Sequence, residues 1–167
     1  MRQVLFLLLT LLLPCTAAQA GSELPSPQGR VILTVTGDIT RTNAGDEARF
    51  DAAMLRNLGM HAVRTHTPWT EGVSRFEGPL GRDLLAAVGA RGRQLRVKAL
   101  NDFVAEIPVS DFEDNDVLLA MRRDGKPMSV RNFGPLFVLY PFDDHPELQT
   151  EKIRFRSAWQ VATIEVE

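Results

Sequence analysis

The sequence predicts an α+β fold: a mixed sheet or flattened barrel carrying a few short helices. Three observations predict it. β-branched and apolar runs of five to seven residues recur along the chain, two segments repeat apolar residues at helical spacing and stop at a glycine, and Asp124-Gly125 sits between two apolar runs as a hairpin signal. The 167 residues carry 19 Lys and Arg against 21 Asp and Glu, with 44% hydrophobic residues. This is an ordinary globular composition, which excludes disordered, collagen-like and coiled-coil classes. A formal net charge of −2 offers no basic footprint for nucleic acid or an anionic membrane.

The elements follow in order. Arg2, the apolar run Val4–Leu13, the breaker Pro14 and the small-residue end Ala18-Gln19-Ala20 form the pattern of a secretory signal over residues 1–20. The run is too short to cross ~30 Å of hydrocarbon as a helix. Cys15, the only cysteine, falls inside it, and Pro14 before it argues against a lipidation site. The expected exported chain therefore holds no thiol to form a disulfide, attack a substrate or ligate a metal. Residues 21–29, with two prolines and two glycines, predict a flexible leader, and 30–167 a single domain.

Arg30–Thr36 predicts a buried strand stopping at Gly37-Asp38. Phe50, Met54 and Leu58, followed by Gly59, predict a short amphipathic helix. His61–Thr65 predicts a strand running into a polar loop, Thr65–Gly72. Leu80, Leu84, Leu85 and Val88 share a helical face ended by Gly89, and Leu95–Leu100 alternates as a half-buried strand ending at Asn101-Asp102. Val104–Ile107, closed by Pro108, is another strand. Val117–Met121 and Met128–Val130 flank the Asp124-Gly125 turn, Leu136–Tyr140 is a nearly continuous apolar strand, and Trp159–Val166 alternates to the end.

Phe76-Glu77-Gly78-Pro79-Leu80, with Leu84-Leu85 after it, resembles the aromatic-x-Gly-x-x-Leu helix entry of the molybdopterin-binding domain of sulfite-oxidase-fold oxidoreductases. Ala99-Leu100-Asn101-Asp102-Phe103 is similar to that family's Asp-Gly-Tyr turn. Val117–Met128 resembles its leucine-alanine hairpin, Gly134–Pro141 its Gly-x-Pro-Leu strand, and the Trp159 strand its last one. The resemblance covers roughly residues 60–167 and implies a sulfite-oxidase-type domain with a pocket that accepts a pterin. Members that hold molybdenum do so through a cysteine on the loop before the aromatic-x-Gly element. The matching loop here, Arg64–Trp69, has none, and a hydroxyl or imidazole is a poor substitute for a soft thiolate. The combination resembles stand-alone periplasmic proteins of this fold that bind a free reduced pterin non-covalently, with no molybdenum. Such proteins partner the periplasmic domain of a membrane GGDEF or EAL enzyme, which makes or degrades cyclic di-GMP, or of a membrane sensor. This implies a non-catalytic role in signalling and biofilm control. The alternative is a molybdopterin-dependent oxidoreductase. Gln3 after Arg2 gives no twin-arginine signal for exporting a folded, cofactor-loaded enzyme. A third reading is an interaction domain with a vestigial pocket.

A pterin is a flat, electron-poor bicycle with paired donors at N3–H and the 2-amino group and a carbonyl at C4. Its site needs an aromatic face, a carboxylate or amide for the donors, and hydroxyl or backbone groups for the carbonyl. Trp69, in a loop without apolar periodicity, is a candidate stacking residue or a lid over the core. Trp159, on an alternating strand, reads as core. Asp102 is a candidate acceptor for the paired donors with Asn101 orienting it, though Asx side chains at a turn also satisfy local backbone. Thr65 and Thr67 offer hydroxyls or merely strand propensity. His66 is a hydrogen-bonding candidate or a plain loop histidine; with His61 and His145 it forms no zinc pattern. Arg131 and Tyr140 are candidates for the pocket rim. Asp143-Asp144-His145 reads as a solvated turn, and no G-x-S-x-G motif is present.

Overall fold

The computed structural model describes residues 24–167, so the expected export signal at 1–20 lies outside the described residues. The first β-branched run forms β1 (Val31–Gly37), with Leu33 and Val35 buried. β2 (Ala48–Asp51) pairs antiparallel to it, and α1 (Ala52–Asn57) follows directly. Asp51 joins the two: its Oδ1 accepts the Met54 N–H at 2.8 Å and caps the helix. The helix predicted from Phe50, Met54 and Leu58 is thus shorter than its spacing suggests. Ala48 and Phe50 are buried while Arg49 faces out, a period-two pattern that pairing with β1 satisfies. Of the leader expected at 21–29, the described residues 24–29 make contacts with the domain. Leu24 packs on the core, and the Gln28 and Gly29 amides both donate to Asp51 Oδ2 at 2.8 Å.

β3 (His61–Thr67) and β4 (Thr70–Gly78) form an antiparallel hairpin turning at Pro68-Trp69. The expected Thr65–Gly72 loop is therefore the tip of this hairpin. Its polar residues occupy strand positions because the alternate ones, Thr65, Thr67 and Ser74, point inward and are buried. α2 (Gly81–Val88) ends at Gly89, whose φ of 61° gives the left-handed stop. β5 (Gln94–Ala99), β6 (Val104–Pro108), α3 (Val109–Asp114) and β7 (Leu118–Ala120) follow. The Asp124-Gly125 turn joins two-residue strands, β8 (Arg122–Arg123) and β9 (Lys126–Pro127). Met128–Val130 is not a strand: Val130–Asn132 is a 3-10 turn, and β7 pairs instead with β10 (Phe137–Leu139). α4 (Glu151–Arg156), capped by the Thr150 hydroxyl, leads to β11 (Val161–Val166). Trp159 precedes that strand and makes an isolated bridge to Phe137.

The main sheet has the order β2-β1-β11-β5-β6, with β1 and β11 parallel and the other pairs antiparallel. A second sheet has the order β3-β4-β8-β9, and β7 and β10 make a two-stranded ladder. The mixed sheet is as expected, and it does not close into a barrel. One core lies against the main sheet and α2; a smaller one gathers Phe76, Leu118, Phe137 and Leu139 beneath the hairpin. Trp69, at the hairpin tip, packs against both.

Candidate functional site

The hairpin tip is held from its own strands. The Thr67 and Thr70 hydroxyls are 2.7 Å apart, and Thr67 Oγ1 accepts the Trp69 amide at 3.3 Å. The half-buried Trp69 indole meets Trp159 (centroids 5.5 Å, 61° between planes) and Phe137 (5.7 Å, 75°) edge-on, and lies 6.3 Å from Phe142. Such aromatic pairs contribute about 0.5–1.5 kcal/mol each beyond their buried area. Trp69 is therefore both a plug on the core and a wall of the cleft outside it. That cleft, about 350 Å³, is lined by Trp69, Phe103, Glu151, Arg154, Phe155, Ser157 and Trp159. Trp159, expected in the core, is half-buried and shares this wall. The two indoles touch, so they leave no slot between them and form one continuous wall.

A second, more polar cleft of about 220 Å³ also borders the hairpin tip, lined by His66, Thr67, Pro68, Phe142, Gln149 and Arg154. His66 is exposed and bound to Asp143, whose Oδ2 accepts both the His66 backbone N–H (3.0 Å) and its ring Nδ1–H (2.9 Å). Burial pushes the Asp143 carboxyl up, but the His66 amide and ring and the Thr65 hydroxyl together hold it below the usual carboxylate range. The turn at Asp143-Asp144-His145, expected to be merely solvated, thus anchors the hairpin. Thr65 is fully buried; its hydroxyl donates to the His66 carbonyl and accepts the Asp143 N–H. It is a brace and faces neither cleft.

The other candidate residues lie apart from these clefts. Tyr140 is a correction: it is fully buried and rims nothing. Its hydroxyl donates to Asp111 Oδ2 at 2.7 Å, and Arg156 binds the same oxygen at 2.8 Å. The apolar strand carries Tyr140 into the core, where α3 and α4 supply the polar partners its hydroxyl requires. Asn101 and Asp102 are both exposed at a turn. Asn101 Oδ1 accepts the Phe103 N–H, and Lys98, 2.8 Å from Asp102, holds that carboxyl below its usual range. Only their neighbour Phe103 reaches the aromatic cleft. Arg131 is exposed in the 3-10 turn and lines neither cleft. The structure thus brings together Trp69, Thr67 and His66 around one hairpin tip, and separates Thr65, Asn101, Asp102, Arg131 and Tyr140 from the lining.

Sequence reasoning missed Glu151, Arg154 and Phe155. The signal was present: Thr150 as a cap, Glu151 in the first turn and Arg154 and Arg156 in the last are a helix start and stop. With Ile153 the only buried residue in the helix, no periodic apolar face announced it.

The sequence profile of the oxidoreductase molybdopterin-binding domain matches residues 47–142, more than half of the chain. The chain belongs to that family. The matched stretch contains both hairpin strands and Trp69, and ends at Phe142, before α4. The crystal structure of the sulfane dehydrogenase SoxCD from Paracoccus pantotrophus superposes with a TM-score of 0.60 at 16% identity. The match covers 80% of this chain and 37% of that one, so the chain spans little more than a third of that protein's length. At this identity the likeness shows a shared fold, in agreement with the sulfite-oxidase-type α+β domain expected from the motifs. None of the curated protein sequences matches the chain significantly.

Proposed function

We propose that this chain is a pterin-binding module, exported to the periplasm and non-catalytic, whose reduced pterin lies in the Trp69–Trp159 cleft. The observation that carries the reading is that cleft: four aromatic side chains and one carboxylate, Glu151, in a member of a molybdopterin-binding family. Glu151 has the chemistry the paired N3–H and 2-amino donors need, the role the sequence suggested for Asp102. The volume is at the lower end of the range for small-ligand sites.

The donor set suits the pterin and not its metal. Cys15 is the only cysteine and lies outside the matched residues. At the positions where the resemblance puts the thiolate, Thr65, His66 and Thr67 are committed to Asp143, to Thr70 and to local backbone. The signal pattern at 1–20 supports the periplasmic location, and the resemblance supports a relay to the periplasmic domain of a membrane cyclic-di-GMP enzyme. Since the hairpin tip is already braced, occupancy would be reported by the cleft's exposed rim rather than by ordering a loop.

Mass spectrometry of small molecules released on denaturing protein purified from its native compartment tests the reading. A co-purified pterin, together with a thermal shift on adding dihydropterins, is the expected result. Absence of both overturns it. The family's name and the likeness to a dehydrogenase favour a second reading, a molybdopterin-dependent oxidoreductase. Stoichiometric molybdenum in the native protein would establish that reading instead.

A further inference from the structure

Arg154 lies between two clefts. It lines the aromatic cleft with Trp69 and Trp159 and also the polar cleft with His66, Pro68 and Gln149, and the Pro68-Trp69 turn forms the rest of the divide. Its guanidinium is exposed and pairs with no carboxylate among the described residues, whereas its helix neighbour Arg156 is committed to Asp111. It lies on α4, beyond residues 47–142, so the family match assigns it no role.

Resting on the pterin reading above, we infer that the ligand has two parts: a flat ring in the aromatic cleft, and an anionic substituent passing Arg154 into the polar cleft. The chemistry of the second cleft fits this. A guanidinium binds phosphate or carboxylate through paired N–H donors. The nearest acid, Asp143, does not line that cleft and is taken up by the His66 amide and ring. The Gln149 amide N–H donates to the Phe142 carbonyl, and a His66 ring donating through Nδ1–H keeps Nε2 as an acceptor, so the Arg154 guanidinium is the donor this cleft offers an anion. Glu151 is in the aromatic cleft only, and repels an anion that stays there. The two clefts thus sort a bifunctional molecule by charge, with the carboxylate toward the ring's donors and the guanidinium toward its arm.

Calorimetric titration of the purified protein with 7,8-dihydroneopterin, its phosphate monoester and a dihydropterin bearing a carboxylate arm tests this. The expected result is at least about tenfold tighter binding of one or both anionic forms than of the neutral one, the size of one charge-assisted contact. Which form gains identifies the anion. Arg154→Gln, on an exposed side chain, should remove the preference for the anionic forms over dihydroneopterin, whatever it does to binding of the neutral form, and Arg154→Lys should restore part of that preference. Inorganic phosphate should compete with whichever anionic probe gains and not with dihydroneopterin, and only in the wild type. Equal binding of all three forms, or a preference that survives Arg154→Gln, overturns the inference and leaves the pterin reading intact. Failure of every form to bind overturns the pterin reading as well.

Discussion

Tyr140, Asp111 and Arg156 form a closed polar group inside the protein, with the phenol fully buried and the two charged side chains only 13% and 14% exposed. Tyr140→Phe removes one hydrogen bond and leaves the ion pair, and should cost about 1 kcal/mol in chemical denaturation. Asp111→Ala strands both partners and should cost about 3 kcal/mol. Burial, and then the Asp111 carboxylate, push the Tyr140 phenol far above its ordinary value. Its contribution is complete below the unfolded value of about 10 and is lost as pH rises beyond that. The wild type should therefore lose stability more steeply in alkali than Tyr140→Phe; parallel curves would refute this. Trp69 and Phe155 divide stability from binding in another way. Trp69 touches both cores, so Trp69→Ala should weaken folding and ligand binding together, by about 2 kcal/mol or more in stability. Phe155 is 64% exposed on the cleft rim. Phe155→Ala should leave stability within about 0.5 kcal/mol and weaken pterin binding several-fold, read by thermal denaturation and titration side by side.

Among elements, the β3–β4 hairpin and α4 make the site; the sequence shows β3 as a strand over His61–Thr65, but neither the hairpin's tip nor α4 is legible in the way β1 or β5 is. Thr65, His66 and Thr67 look like loop residues because the buried face of β3 at its tip is polar. What makes it a strand is the paired hydroxyls of Thr67 and Thr70 and the Thr65–Asp143 contact, whose partner is 78 positions away. α4 is six residues long with one buried side chain, too short for a periodic signal. Asp51 plays a comparable joining part between the N-terminal segment, β2 and α1, accepting from Gln28 and Gly29 with one oxygen and from Met54 with the other. The N–H groups of Met54 and Gly29 are the main causes holding its carboxyl below the usual range. Its contribution is therefore present above the unfolded value of about 4 and is lost as pH falls through the lower folded one. Asp51→Asn should speed amide hydrogen exchange at Gln28, Gly29 and Met54 at neutral pH and flatten the acid decline. Unchanged exchange at all three would show that the cap is dispensable.

At the scale of the whole molecule, the second sheet and the β7–β10 ladder meet where Gly78 passes the Leu119 carbonyl, and a Cβ there would fall inside that oxygen's contact distance. Both atoms belong to backbone fixed by pairing, so Gly78→Ala should cost on the order of 3 kcal/mol by denaturant midpoint, and a change under about 0.5 kcal/mol would show that the joint can give. Composition, the β-branched runs, the glycine stops and the ordered motifs determined on their own the α+β class, the family and most strands of the main sheet, because period-two and helical patterns are local and survive without knowledge of the partner. The tertiary structure alone decided that β11 inserts between β1 and β5, that β7 pairs with β10 instead of across its own turn, and that Tyr140 turns inward. It also decided that the clefts are completed by Arg154 and Glu151 rather than by Asn101, Asp102 or Arg131. These are choices among partners distant in sequence, set by which burial and which hydrogen bonds can be satisfied together, and no local pattern encodes them.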